Sequence, residues 1–201
     1  MRLDFIFDFG SPNAYLCHRA LPVVAARTGA AFNYVPVLLG GIFKATGNRS
    51  PIEIYQGVES RNKYDQLEIN RFCVEYGIVD FTFNPHFPIN TLSLMRGAFA
   101  AKKMGVFESY VDEIFKHMWA KPRNLNDPVE IGKVLSELGL DARTLMSMTQ
   151  EPDIKQQLVA STGRAVEDGV FGAPTFFVGD EMYFGKDRLH LVEDRIRAQN
   201  V

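Results

Sequence analysis

Cysteine is scarce in this chain: two among 201 residues, Cys17 and Cys73, in no shared motif. That excludes a disulfide framework and a thiolate-rich zinc site. None of the four histidines, His18, His86, His117 and His190, stands at metal-ligand spacing from another. No apolar stretch approaches the ~20 residues that span a bilayer. Basic runs are absent and the net charge is −2, so the electrostatic footprint of a nucleic-acid binder is missing. There is no internal repeat and no low-complexity segment. The opening MRLDFIFDF has no basic flank, long apolar stretch or small-residue cleavage site, so it reads as a strand rather than a secretory leader. Together with the two free-standing thiols, this predicts a cytoplasmic protein.

What is present is the composition of a globular chain, 46% hydrophobic and 23% charged, long enough for one domain with an insertion. Its focus is FIFDFGSPNAYL, Phe5 to Leu16. An apolar run over Leu3 to Phe9 stops at Gly10 and a helical pattern starts at once. Pro12 suits the first helical position, where an N–H has no partner anyway. Ser11 therefore stands beside the positive end of a helix dipole, where an anion is favoured. Two roles are open to it, a plain N-cap or a reactive-site hydroxyl.

Along the chain, Pro12 to Gly29 reads as a helix that Pro22 should kink, and Phe32 to Leu39 as a second, parallel strand. Pro36 argues that this strand lies at an edge or carries a bulge. GGIFKATGNRSP, Gly40 to Pro51, reads as a polar loop bearing Lys44, Asn48 and Arg49. It is either a ligand-bordering loop at a strand end or a solvated connector with surface cations. Helical patterns follow over Ser60–Tyr76, Thr91–Met104, Phe107–Trp119, the segment opened by Asp127 and Pro128, a short piece from Asp141, and Pro152–Gly169. An extended stretch, FTFNPHFPI, interrupts them; its His86 is either a loop residue or a pocket residue. Thr175–Val178 and Met182–Phe184 read as strands around a Gly179-Asp180 turn, and Asp187–Arg197 as a closing helix.

Two late motifs bear on chemistry. In Gly172-Ala173-Pro174-Thr175 a proline directly precedes a strand, where it costs no ladder bond; a cis bond there would aim the Ala173 backbone outward. In Phe184-Gly185-Lys186-Asp187, Asp187 is either a helix cap or a carboxylate for a ligand's amino group. No histidine can be placed beside Ser11. With the helical stretch removed, the order is β-α-β then α-β-β-α, the order of a thioredoxin core. Disulfide oxidoreductases of that class carry Cys-x-x-Cys where this chain has Ser11, Pro12, Asn13 and Ala14, so disulfide exchange at this site is excluded.

FDFGSPNAYL, VPVLLGGIFKATGN, FPINTL, GVFGAPTFFV and FGKDRL, in this order over essentially the whole chain, resemble the 2-hydroxychromene-2-carboxylate isomerase family. That family is similar to kappa-class glutathione transferases within the DsbA-like thioredoxin superfamily. The resemblance implies an α/β, thioredoxin-like (DsbA-like) core at 1–40 and 151–201, with a large all-helical insertion at 41–150. It also implies a homodimer and a glutathione cofactor. Ser11 would hold the glutathione sulfur as thiolate, Ala173 and cis-Pro174 the cysteinyl part, and Phe184, Gly185, Lys186 and Asp187 the γ-glutamyl end. Lys44, Asn48 and Arg49 would hold a small aromatic carboxylate or the far carboxylate of the tripeptide. The implied reaction interconverts 2-hydroxychromene-2-carboxylate and trans-o-hydroxybenzylidenepyruvate, as in naphthalene-type degradation. A kappa-type transferase or peroxidase, and a non-catalytic peptide-binding module over Pro174, are the alternatives. Gly10 and Asn13 replace bulkier residues of the family, which implies extra room in the pocket.

Overall fold

The computed structural model describes residues 2–199; the expected domain limits at 1 and 201 lie outside them. The order is β1 (Leu3–Phe7), α1 (Pro12–Thr28), β2 (Asn33–Pro36), α2 (Leu39–Thr46), α3 (Pro51–Ile54), α4 (Glu59–Tyr76), α5 (Leu92–Lys103) and α6 (Phe107–Trp119). Then come α7 (Pro128–Glu137), α8 (Ala142–Met148), α9 (Pro152–Glu167), β3 (Thr175–Val178), β4 (Glu181–Phe184), a 3-10 turn (Lys186–Arg188) and α10 (Leu189–Gln199). The sheet runs β2-β1-β3-β4. β1 is parallel to β2 and antiparallel to β3, with Phe5 opposite Tyr34 on one side and Phe176 on the other. β3 and β4 form the antiparallel hairpin. This is the DsbA-like thioredoxin arrangement, and β2 holds the edge position that Pro36 requires.

Alternation along β1 sorts the core into two layers. Phe5 and Phe7 point to one face, where Phe5 stacks on Phe176 at 5.2 Å and meets Tyr34 edge-on at 4.9 Å. Phe7 and Phe9 continue that face into the helical region by packing on Phe115 of α6. Ile6 points the other way, into a smaller cluster with Val37, Ile42, Ala165, Val170 and Phe177. α2 and α9 cover that side. The aromatic face thus joins the sheet to the helices between β2 and α9, and each ring pair adds about 0.5–1.5 kcal/mol beyond its buried area.

Several boundaries differ from the pattern reading. β1 ends at Phe7 because Phe9 leaves the ladder: its N–H points to the Met95 sulfur, 3.4 Å, and its carbonyl accepts from Trp119 Nε1, 2.7 Å. β2 stops at Pro36, and Leu39–Thr46 is helix rather than loop. Two adjacent glycines make a poor helix former, but tertiary contact overrides that. Ile42 is fully buried, and Gly41 lies where a Cβ would press on Thr162 of α9 at 3.2 Å. The expected 40/41 domain limit therefore falls inside α2. α1 continues through Pro22 and ends at Gly29, whose φ of 70° closes it with a bond to the Ala25 carbonyl. In α4, Phe72 is buried while Tyr64 and Leu67 are exposed. α10 starts at Leu189, after the 3-10 turn, instead of at Asp187.

Gly97 of α5 lies directly under the Tyr110 ring, where an added Cβ would stand 2.0 Å from the phenol oxygen. That phenol is fixed by a 2.8 Å bond to the Leu94 carbonyl. Gly97→Ala is expected to lower stability by about 1–3 kcal/mol, roughly 2–12 °C in Tm. Gly132→Ala, in open space on α7, is expected to raise it by about 0.5–1 kcal/mol. Parallel thermal melts check both signs.

Candidate functional site

Ser11 is delivered by the turn that closes β1. Its N–H bonds to the Asp8 carbonyl at 3.0 Å, and its backbone stays extended at φ −96°, ψ 113°. The Ala14 N–H donates to Ser11 Oγ at 3.1 Å, so the capping role is real. It is not the whole role. The same hydroxyl donates to the Ala173 carbonyl, 3.0 Å away and 162 residues along the chain. Ala173–Pro174 is a cis bond, and the turn is held on both sides. The Gly185 N–H donates to the Pro174 carbonyl at 2.9 Å, and Thr175 Oγ1 to the Gly172 carbonyl at 2.8 Å. Gly172 lets the Phe184 ring lie close over the turn, since a Cβ would meet that ring at 2.8 Å and displace it.

The structure thus gathers Ser11, Ala173, Pro174, Phe184 and Gly185. Asn48 joins them: its Nδ2 donates to the Phe171 carbonyl at 2.8 Å while its Oδ1 accepts from the Arg49 N–H. It works as a tether between the end of α2 and the segment leading into the cis turn. Lys44 stands in the last turn of α2, exposed. Neither Lys44 nor Arg49 has an ion pair among the described residues. Lys186 does not face outward. It is 5% exposed, pairs with the Asp187 carboxylate and lies 5.4 Å from the centre of the Phe72 ring. Asp187 caps no helix; it sits inside the 3-10 turn with its side chain 59% exposed.

Other expectations are relocated. The direction in which a Gly10 Cβ would point is closed by Thr91 Cγ2 at 3.2 Å and Asp8 Oδ1 at 3.3 Å, so Gly10 permits a close approach rather than opening pocket space there. His86 is exposed, and its N–H is taken by Asn84 Oδ1. His18 turns away from Ser11, with Nδ1 at 3.0 Å from the Tyr34 hydroxyl and Nε2 at 3.1 Å from Asp112. No base therefore touches Ser11 among the described residues, and its hydroxyl is suited to holding an anion rather than attacking as a nucleophile. Cys17 is fully buried and desolvation pushes its thiol far up; Cys73 is half-buried and raised for the same reason.

Sequence reading passed over Asp8, which is fully buried. Its carboxylate accepts from the Gly10 N–H at 2.8 Å, the Leu39 N–H at 2.7 Å and Thr91 Oγ1 at 3.1 Å. Burial raises its proton affinity and the three bonds oppose that rise. The available signal was an acid inside an otherwise apolar phenylalanine run. A second cis bond, Phe87–Pro88, lies a few residues before Thr91, and nothing local announces it.

A four-stranded thioredoxin-type sheet, with a capped helix presenting serine against a cis-proline turn, defines a thioredoxin-fold protein whose site offers a hydroxyl and has no thiol of its own. The DSBA-like thioredoxin domain model matches residues 2–197. A 2-hydroxychromene-2-carboxylate isomerase of Sphingobium xenophagum is 30% identical over 191 residues, 95% of both chains. Glutathione S-transferase kappa 1 of Caenorhabditis elegans is 22% identical, over 98% of this chain and 91% of the other. A solved 2-hydroxychromene-2-carboxylate isomerase structure superposes with a TM-score of 0.84 at 27% identity, covering 100% of this chain and 98% of that one. The chain belongs to the DsbA-like thioredoxin family, within its 2-hydroxychromene-2-carboxylate isomerase branch.

Because the site contains no thiol, the protein is expected to leave insulin disulfides intact in the presence of dithiothreitol. Iodoacetamide should label Cys73 slowly and Cys17 only after unfolding. Mass spectrometry of native and denatured samples reads both sites, and prompt native labelling of Cys17 would contradict its burial.

Proposed function

We propose that this chain is a cytoplasmic, homodimeric, glutathione-dependent isomerase interconverting 2-hydroxychromene-2-carboxylate and trans-o-hydroxybenzylidenepyruvate. The observation that carries the reading is the Ser11 hydroxyl, 3.0 Å from the carbonyl that precedes cis-Pro174. Glutathione fits what is there: a peptide backbone edge at Ala173, a hydroxyl at a helix N-terminus, and an exposed carboxylate on Asp187. In this reading 1–40 and 151–201 supply the glutathione cradle and 41–150 a wall over the substrate.

Ser11 has one hydroxyl hydrogen. Turning it from the Ala173 carbonyl to a sulfur anion frees that carbonyl to accept a peptide N–H, so the two exchanges accompany each other. Each unit of thiol pKa lowering requires ~1.4 kcal/mol of preference for the thiolate. A charge-assisted hydrogen bond and a helix N-terminus together supply ~2–4 kcal/mol. Bound there, glutathione would supply a nucleophilic thiolate for reversible addition to a conjugated double bond, which becomes a rotatable single bond in the adduct; Ser11 would hold that sulfur. Asp187 holds the γ-glutamyl amino group, with Lys186 behind it as counter-charge. Phe184 and Gly185 shape that end of the cradle. Lys44 and Arg49, both without an acidic partner, hold the substrate carboxylate, and Asn48 keeps their segment against the cis turn.

An isomerase returns its cofactor, so trace glutathione should convert many equivalents of substrate with the thiol titre unchanged. Stoichiometric thiol loss with a stable conjugate would favour a kappa-type transferase instead. Ser11→Ala is expected to remove most turnover at a stability cost of only ~1 kcal/mol. Lys44→Met should raise the apparent KM for the carboxylate roughly 10- to 100-fold and leave chlorodinitrobenzene turnover nearly unchanged. Near-full activity of Ser11→Ala with saturating glutathione would sink the thiolate role.

A further inference from the structure

Asp8 is the one carboxylate buried completely beside the site, at 0% exposure among the described residues. Buried charge is weak evidence for stability, since desolvation offsets the Coulombic and hydrogen-bond gain. Its geometry is more telling. Oδ1 takes the Gly10 N–H, and Oδ2 takes both the Leu39 N–H and the Thr91 hydroxyl. Two of these partners are backbone N–H groups, which can only donate, and they lie on different oxygens. An amide in the same place has one acceptor oxygen and would set its NH2 against one of them. The site therefore asks for a carboxylate.

The three donors come from three different walls. Gly10 precedes Ser11. Leu39 is the first residue of α2, the helix that carries Lys44 about 7.5 Å further along its axis. Thr91 is the corner between the cis-Pro88 segment and α5. Gly10 has no side chain to keep Thr91 and the carboxylate apart.

We propose that Asp8 is a positioning residue, whose carboxylate locks the Ser11 turn, the start of α2 and the Thr91 corner into one frame. The hydroxyl that holds the thiolate and the lysine that holds the substrate carboxylate then keep a fixed separation. This rests on the isomerase reading for the roles of Ser11 and Lys44; the frame itself rests on the three hydrogen bonds.

The test uses Asp8→Asn, Thr91→Val and Thr91→Ser in the full chain, with two readouts. The first is amide hydrogen exchange of the ligand-free protein. Asp8→Asn and Thr91→Val should speed exchange at residues 10–11 and 39–42 together, with β3 unchanged. The second is steady-state kinetics at saturating glutathione. Asp8→Asn is expected to lower kcat/KM roughly 30-fold or more, and Thr91→Val roughly 3- to 10-fold. Thr91→Ser, which keeps the hydroxyl, should recover most of the loss. In an Asp8→Asn background the Lys44→Met penalty should shrink to below about threefold, because the lysine is no longer held in register. Wild-type kcat and KM in Asp8→Asn and Thr91→Val, whatever their Tm, would overturn the proposal. If Asp8→Asn does not fold, the Thr91 pair decides it alone. A wild-type protein without turnover defeats the isomerase reading, and the exchange pattern at the two segments then decides whether Asp8 holds the frame.

Discussion

Ser11 Oγ accepts from the Ala14 N–H and donates to the Ala173 carbonyl, and most of the surrounding architecture serves that two-sided contact. A hydroxyl can cap a helix and still have its hydrogen to give; a thiol in the same place would do both less well, being a weak donor and a weak acceptor. The contact needs β1 and β3 side by side, a tight turn after β1 and another just before β3, and a proline that exposes the preceding carbonyl. Antiparallel pairing of Phe5 with Phe176 sets the first condition. Gly172 under the Phe184 ring helps to set the last.

The aromatic face of β1 accounts for how a small sheet carries so many helices. Phe5, Phe7 and Phe9 run as a ladder out of the sheet towards α6. Trp119 at the end of α6 donates back to the Phe9 carbonyl. The strand that supplies Ser11 is thereby packed on both the sheet and the helices between β2 and α9, so movement of either is felt at the serine. Close packing of this kind transmits small displacements instead of absorbing them.

Much of this was legible in residues with strong local physics. The Gly-Ser-Pro junction, the parallel β-α-β start, the edge position implied by Pro36 and the proline before β3 all follow from missing N–H groups and capping chemistry. What was not legible depends on partners distant in sequence. α2 was hidden because Gly40 and Gly41 argue locally for a loop, and only packing on α9 makes the helix worthwhile. Lys186 was expected only as part of the segment at the γ-glutamyl end; its burial against Phe72 of α4, more than a hundred positions away, has no local signal. Asp8 was read as part of an apolar run because its partners, Leu39 and Thr91, come from segments that sequence spacing does not join.

α2 is fastened at both ends. Its first N–H is on Asp8, the neighbouring Leu38 N–H is on Thr162 Oγ1 at 3.0 Å, and Asn48 beyond its last turn holds the Phe171 carbonyl. A helix anchored in this way is a fixed jamb and not a door. The placement of Lys44, in the last turn of α2, is thus set by these bonds within the fold. If Lys44 holds the substrate carboxylate as proposed, selection among aromatic carboxylates of different length would be set from outside the site, by where α9 and the cis turn hold α2.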